Sequence, residues 1–332
     1  MKTIAFFNNK GGVGKTSLAY HLAWMFADQG YRVVAADLDP QANFSSLCLS
    51  DERLEQIWKT KPRPTIATSI ARLQNRTGDI DPQPLDEVRA RLWLMVGDLG
   101  LSDFEDALSE TWPKTLSGDE GSFRVTTAFH RLLESAADVV KADIGLIDVG
   151  PNLGAINRAA LIAADYVVVP AAPDLFSVQG LENVGPRLVK WRREWRQRTE
   201  NAPPELALSM PHGHMQPIGY VVSRHAERAG RQVKAFRKWL DRLPGVYREK
   251  VQARADDSTL DIDRDENCLA QIKDYRSLMP MAQEARLPMF ALKSADGAIG
   301  GHQAAVADCY SQYSKLAEKI AARVALPPPT PV

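Results

Sequence analysis

Cysteine is scarce in this chain. Cys48, Cys268 and Cys309 lie far apart and form no Cys-x-x-Cys pair. They suggest neither a disulfide framework nor a zinc or iron-sulfur cradle, and they read as small buried hydrophobes. Long apolar runs are missing too. No stretch reaches the roughly 18 residues that a membrane-spanning helix needs, and Met1-Lys2 passes straight into a short apolar strand without the layout of a signal peptide. A cytoplasmic protein is expected. An excess of one charge is also absent: 41 Lys and Arg balance 41 Asp and Glu, which excludes a globally basic nucleic-acid coat but says nothing of local patches. No internal repeat is found. What remains is a chain of 332 residues with 45% hydrophobic content, enough to bury a full core.

The balanced charge is unevenly spread. From Arg187 to Arg254 there are sixteen Lys/Arg against six Asp/Glu, whereas Gln41 to Gly150 carries twelve basic against eighteen acidic residues. The first region is a candidate anion-binding face.

Thr3 to Asn8 is a short apolar run ending in a Gly-rich turn, and residues 16–28 show helical spacing through Leu18, Leu22, Met25 and Phe26. Further apolar runs at 32–38, 143–149, 166–170 and 218–222 have the continuous β-branched character of strands buried on both faces of a parallel sheet. Helical stretches separate them, so the expected fold is α/β, a doubly wound, mainly parallel sheet with helices on both faces. Residues 1–325 read as one domain with an irregular insertion at about 50–90, broken by Pro62, Pro64, Pro82 and Pro84, and a strand-like run at 92–96. A loop is expected at about 200–217, and the Pro-rich tail 326–332 is expected to be disordered.

Lys10-Gly11-Gly12-Val13-Gly14-Lys15-Thr16-Ser17 follows a strand and opens a helix, the context a phosphate-binding loop requires. Glycines let backbone N–H groups turn inward around phosphate oxygens, Lys15 meets the β/γ-phosphates, and the Thr16 hydroxyl is placed to hold Mg²⁺. The general GxxxxGK[ST] pattern fails at its first glycine, because Asn9 stands there. Asp37-Leu-Asp39-Pro-Gln41 lies at the carboxyl end of the second strand run, the edge where open α/β sheets bind ligands. Asp148, followed by Gly150-Pro151, ends an apolar strand and fits an Mg²⁺-holding acid.

The run KGGVGKT, with DxDPQ and the Asp148 strand, resembles the deviant Walker A ATPases of the ParA/MinD superfamily, closest to stand-alone ParA proteins. The resemblance covers most of residues 1–325 and extends to 167–181, where Asp174 stands at a position usually held by glutamate, and to 94–102 and 286–290. It implies an ATP- and Mg²⁺-dependent dimerisation switch. Lys10 would reach across the dimer to the partner's nucleotide and act as an arginine finger does. Asp37 would lie near the Mg²⁺ shell, Asp39 would position or activate the attacking water, and Gly150, Pro151 and Gly154 would begin switch II.

The resemblance also implies nonspecific DNA binding through Arg187, Arg193, Arg228, Arg231, Lys234 and Lys238, with hydrolysis stimulated by a ParB-like partner and the ATP-bound dimer on the nucleoid. Arg224, Arg228, Arg231, Lys238 and Arg242 fall at spacings of 4, 3, 7 and 4, close to one helical stripe. The plain alternative is a solvated helix face. Trp191 and Trp195 are expected to pack inward, and His212 and His214 to be solvent-exposed. No helix-turn-helix precedes Lys2, so a repressor is not expected. The helix at 315–324 lacks bulky aromatics, which disfavours MinD-like membrane attachment. The redox and metallocluster branches need close cysteine pairs that this chain lacks. A regulatory ATPase that positions or controls a protein partner, in an organelle, membrane or defence system and without DNA segregation, stays open.

Overall fold

The computed structural model describes residues 1–223, 237–254, 261–275 and 277–329. Its centre is an eight-stranded sheet in the order β3-β4-β2-β5-β1-β6-β7-β8. The strands are β1 (Lys2–Phe6), β2 (Val33–Asp37), β3 (Asp86–Arg89), β4 (Leu92–Met95), β5 (Ile144–Asp148), β6 (Tyr166–Ala171), β7 (Gln216–Ser223) and β8 (Cys268–Ile272). All neighbours pair in parallel except β3, which runs antiparallel to β4 at one edge. The doubly wound α/β expectation therefore holds.

Every residue of β2 and β5 is buried. The reason is the two apolar layers that sandwich the sheet. On one face lie α5 (Phe104–Lys114), α6 (Glu120–Thr126), α7 (Ala128–Val140), α8 (Ala155–Ile162) and α9 (Leu175–Thr199). On the other, α1 (Lys15–Asp28) packs with the long carboxyl-terminal helix Gly301–Arg323. Trp191 and Trp195 pack inward as expected; Trp195 stacks on Trp112 at 6.2 Å and donates to the Pro211 carbonyl at 2.9 Å.

The segment between β2 and β4 is more regular than its prolines suggest. It holds α2 (Asn43–Cys48), α3 (Asp51–Lys59) and α4 (Ile66–Gln74) before β3. Ser50 starts α3 by accepting the Arg53 N–H, with Asp51 and Glu52 in the first turn, where negative charge meets the positive end of the helix. Pro62 and Pro64 fall between α3 and α4. At the other terminus the Leu326 N–H donates to Ala321 O at 2.9 Å, and Pro329 lies against Gly30.

Candidate functional site

The loop after β1 is anchored before it turns. The Asn8 amide donates to Pro170 O at 2.7 Å, and its oxygen accepts the Lys10 N–H at 3.0 Å, tying the loop to β6. Gly12 and Gly14 then take φ of 74° and 83°, a region that disfavours any side chain. Gly14 precedes α1 and no side chain caps that helix, so its first N–H groups face the loop unpaired by side chains. That leaves a backbone cradle with a positive dipole end, suited to an anion. Lys15, buried, reaches back to Lys10 O at 3.2 Å. Burial lowers its pKa, while the Asp148 and Asp39 carboxylates oppose that shift.

The acids come together as adjacent strand ends. Asp37 closes β2, Asp148 closes β5, and the two are direct register partners, both 0% exposed. Asp37 Oδ2 accepts the Ser45 N–H at 2.7 Å and the Ser45 hydroxyl at 2.8 Å. Asp37 Oδ1 and both oxygens of Asp148 have no donor in hydrogen-bonding geometry. Burial above all pushes the Asp37 carboxyl up to about 7, and it pushes Asp148 well above the carboxylate range, with Asp37 adding to it and Thr16 and Lys15 drawing it back.

Three bare carboxylate oxygens buried side by side are costly unless a cation is shared between them. Hard oxygen donors beside the Thr16 hydroxyl fit Mg²⁺. Among the described residues no group of three or more His, Cys, Asp or Glu side chains gathers into a stand-alone metal cage.

Asp39 stands at the seam of two loops. Its Oδ1 accepts the Gln41 N–H at 3.0 Å, and it lies so close to Gly150 that a Cβ there would come within 3.3 Å of the same oxygen. The Gly150 loop is held by buried Asn157, whose amide donates to Gly150 O and Asn152 O, each at 2.7 Å. Pro151 is exposed, and Gly154 leads into α8. The start of α8 is covered from α5: Glu105 accepts the Ala155 N–H at 2.5 Å and the Ile156 N–H at 2.8 Å.

Lys10 is engaged within its own chain. Its ammonium pairs with Asp174 and lies 3.4 Å from Ser177 Oγ, while Asp174 Oδ1 caps α9 by accepting the Ser177 N–H at 2.9 Å. Next to this pair Leu175 and Phe176 are exposed, Phe176 to 66%. Beside Thr16 and Ser17 a cavity of about 640 Å³ opens between α1, α2 and the helix Met279–Ala285, lined by Tyr20, His21, Gln283 and Arg286 among others.

The loop, the two lysines and the three acids therefore meet at the carboxyl edge of β1, β2 and β5. Ser45, Asn157, Glu105 and the Lys10 partner Asp174 complete the arrangement. Asp174 falls in the 167–181 stretch already noted, whereas Ser45, Asn157 and Glu105 carry no spacing signal of their own and are defined by what they touch.

The basic residues are less uniform. Of those expected to meet DNA, Arg228, Arg231 and Lys234 lie outside the described residues, as does Arg224 of the same stripe. Arg193 and Lys238 are exposed, and Arg187 is half-buried over the Trp191 ring at 5.7 Å. Arg198 is buried instead, its guanidinium 3.9 Å from the Trp112 ring centre. Arg237 is taken up by Asp241, Asp261 and Asp263. His212 and His214 are exposed as expected and stack on each other at 5.2 Å. Cys268 and Cys309 are buried and Cys48 half-buried.

A family model described as an AAA domain matches residues 1–200. Protein IncC of Escherichia coli is 34% identical over 184 residues, 55% of this chain and 44% of IncC. The chain belongs to the ParA/MinD-type ATPases. Its relatives include partition and positioning proteins, among them a plasmid-partitioning ParA of Thermus thermophilus, 29% identical over 213 residues, 63% of this chain and 55% of that protein. The chain spans about half the length of the curated relatives it matches. Among solved structures, protein DIP2308 of Corynebacterium diphtheriae has a TM-score of 0.72 at 22% identity, covering 98% of this chain and 99% of that one. A plasmid partition protein of Borrelia burgdorferi bound to AMPPNP has a TM-score of 0.60 at 19% identity, covering 97% and 99%. At these identities the likeness speaks for the ParA/MinD-type P-loop fold alone. No helix among the described residues is long and apolar enough to cross a membrane.

Proposed function

We propose that the chain is a Mg²⁺-dependent ATP hydrolase that dimerises on ATP and, as a dimer, holds nonspecific DNA to position or partition a cargo. One observation carries this reading: two lysines, Lys10 and Lys15, bracket a backbone cradle that faces a buried pair of acids with three unpartnered oxygens. A polyanion with a divalent cation answers both halves of that arrangement.

In this reading residues 10–17 grip the phosphates through their N–H groups, and Lys15 neutralises the β/γ-phosphate charge. Thr16, Asp37 and Asp148 hold Mg²⁺, which when bound draws charge off the phosphate oxygens. Asp39, beside Gly150, orients water and couples the two switch loops, so that loss of the terminal phosphate is felt at Gly150, Pro151 and Gly154. The adjacent cavity, within the size range of small-ligand sites, takes the sugar and base. Lys10 leaves Asp174 to reach the phosphates of a second copy, and exposed Leu175 and Phe176 are covered in that contact. The exposed cations Arg193 and Lys238, with half-buried Arg187, then contribute to a basic face in the two-copy form. A ParB-like partner stimulates turnover.

The test is a gel shift of nonspecific duplex DNA at low and high salt with ATP, ADP or no nucleotide. A shift only with ATP, lost steeply as salt rises, is expected. Nucleotide-independent binding, or none, removes the DNA arm. A second reading is favoured by the half-burial of Arg187 over the Trp191 ring: the same switch controls a protein partner and does not segregate DNA.

A further inference from the structure

We infer that Ser45 is a positioning residue that fixes Asp37 for the metal ion, a role that rests on the nucleotide reading above and deepens it. Ser45 lies in α2, eight residues past Asp37, and is buried. Its hydroxyl oxygen accepts the Gly97 N–H at 2.9 Å, so its single proton is left to point at Asp37 Oδ2, 2.8 Å away. Its own N–H donates to the same Asp37 oxygen at 2.7 Å. One residue thus makes two hydrogen bonds to one oxygen of the carboxylate and none to the other.

The result is a carboxylate with divided duties. Oδ2 is locked, the side chain cannot rotate without breaking both bonds, and Oδ1 stays bare next to the bare oxygens of Asp148. There is no room for another arrangement from behind: a Cβ on Gly97 would fall 2.9 Å from Asp37 Cγ and 2.9 Å from Asp37 O. The glycine lets the β4 end press against Asp37, and the hydroxyl bridges the two strands where their backbones part. Groups that orient a metal-bound carboxylate commonly set metal affinity by about 10- to 100-fold when they are removed.

The experiment measures ATP affinity of the full chain by calorimetry in two arms, saturating Mg²⁺ and excess EDTA, for wild type, Ser45→Ala and Ser45→Thr. The ratio of the two affinities is the coupling between metal and nucleotide. Ser45→Ala is expected to lower that ratio about tenfold, leaving the EDTA arm unchanged, and Ser45→Thr, which keeps the hydroxyl, to restore it. An unchanged ratio with only a lower melting temperature would make Ser45 a structural hydrogen bond and overturn the proposal. A wild-type ratio of one would instead sink the Mg-nucleotide reading itself. Should the alanine variant not fold, Ser45→Cys, similar in size but a weak donor and acceptor, decides by the same ratio.

Discussion

Asp37→Asn should stabilise the protein while disabling it. The carboxyl of Asp37 is wholly buried and pushed from its ordinary value of 3.8 to about 7, chiefly by desolvation. Its folded pKa lies above its unfolded one, so the folded state binds the proton more tightly. Stability contributed by this group is therefore full below the unfolded pKa and is lost as pH rises through the window to about 7. A shift of about three units at 1.36 kcal/mol each corresponds to a penalty of about 4 kcal/mol above pH 7, about 2 kcal/mol at pH 5 and little below pH 4. Asn cannot ionise, keeps an oxygen for the two Ser45 donors, and offers an N–H₂ to the bare oxygens of Asp148.

Urea denaturation in EDTA at pH 5 and pH 8 reads the difference. The variant should exceed wild type at pH 8 by about 2 to 4 kcal/mol and by visibly less at pH 5. Mg²⁺ with ATP should raise the stability of wild type and not that of the variant. A variant no more stable than wild type at pH 8, or a gain that grows towards acid, would refute the idea that these carboxylates are held bare for a cation.

Three further outcomes follow from named contacts. Asp174→Asn frees Lys10 from a partly exposed ion pair, worth at most about 1 kcal/mol; sedimentation with ATP should show up to a fivefold tighter dimer, and an unchanged or weaker one would make the pair irrelevant to the switch. Gly97→Ala should force Asp37 out of place, since its Cβ would meet Asp37 at 2.9 Å; loss of Mg-dependent ATP binding is expected, and unchanged binding would deny the close approach. His21, neutral and buried, donates from Nδ1 to Ser17 O at 2.7 Å and accepts the Met289 N–H at 3.2 Å. Burial takes its pKa down to about 4, so its contribution, about 3 kcal/mol at 1.36 kcal/mol per unit, is present above pH 6.5 and lost as pH falls from there towards 4. His21→Gln should flatten the acid limb of a stability curve, and an unaltered limb would contradict this.

The parts that could be read in advance share a physical cause. Strands β1, β2, β5 and β6 are buried on both faces, so their apolar runs are continuous and unmistakable, and the glycine loop needs residue types that few other structures tolerate. Edge strand β3, Asp-Glu-Val-Arg, has one buried residue and no apolar run, and β8 is partly exposed; neither announces itself. Helices α5 to α7 sit in a stretch broken by Pro113, Gly118 and paired threonines, where the helical spacing of Phe129, Leu132, Leu133 and Ala136 is easily passed over. In the site, Lys10, Lys15, Asp37, Asp39 and Asp148 belong to local patterns. Ser45, Glu105 and Asn157 matter through what they touch 8, 50 and 7 residues away. Only packing brings those contacts into being.

The most direct test is a crystal structure of the full chain with AMPPNP and Mg²⁺. Two copies should face each other with each Lys10 withdrawn from Asp174 and placed on the other copy's phosphates, and with one ion between the phosphates and the Thr16, Asp37 and Asp148 oxygens. A nucleotide-loaded pair in which Lys10 still rests on Asp174, or a glycine loop without phosphate, would contradict the proposal.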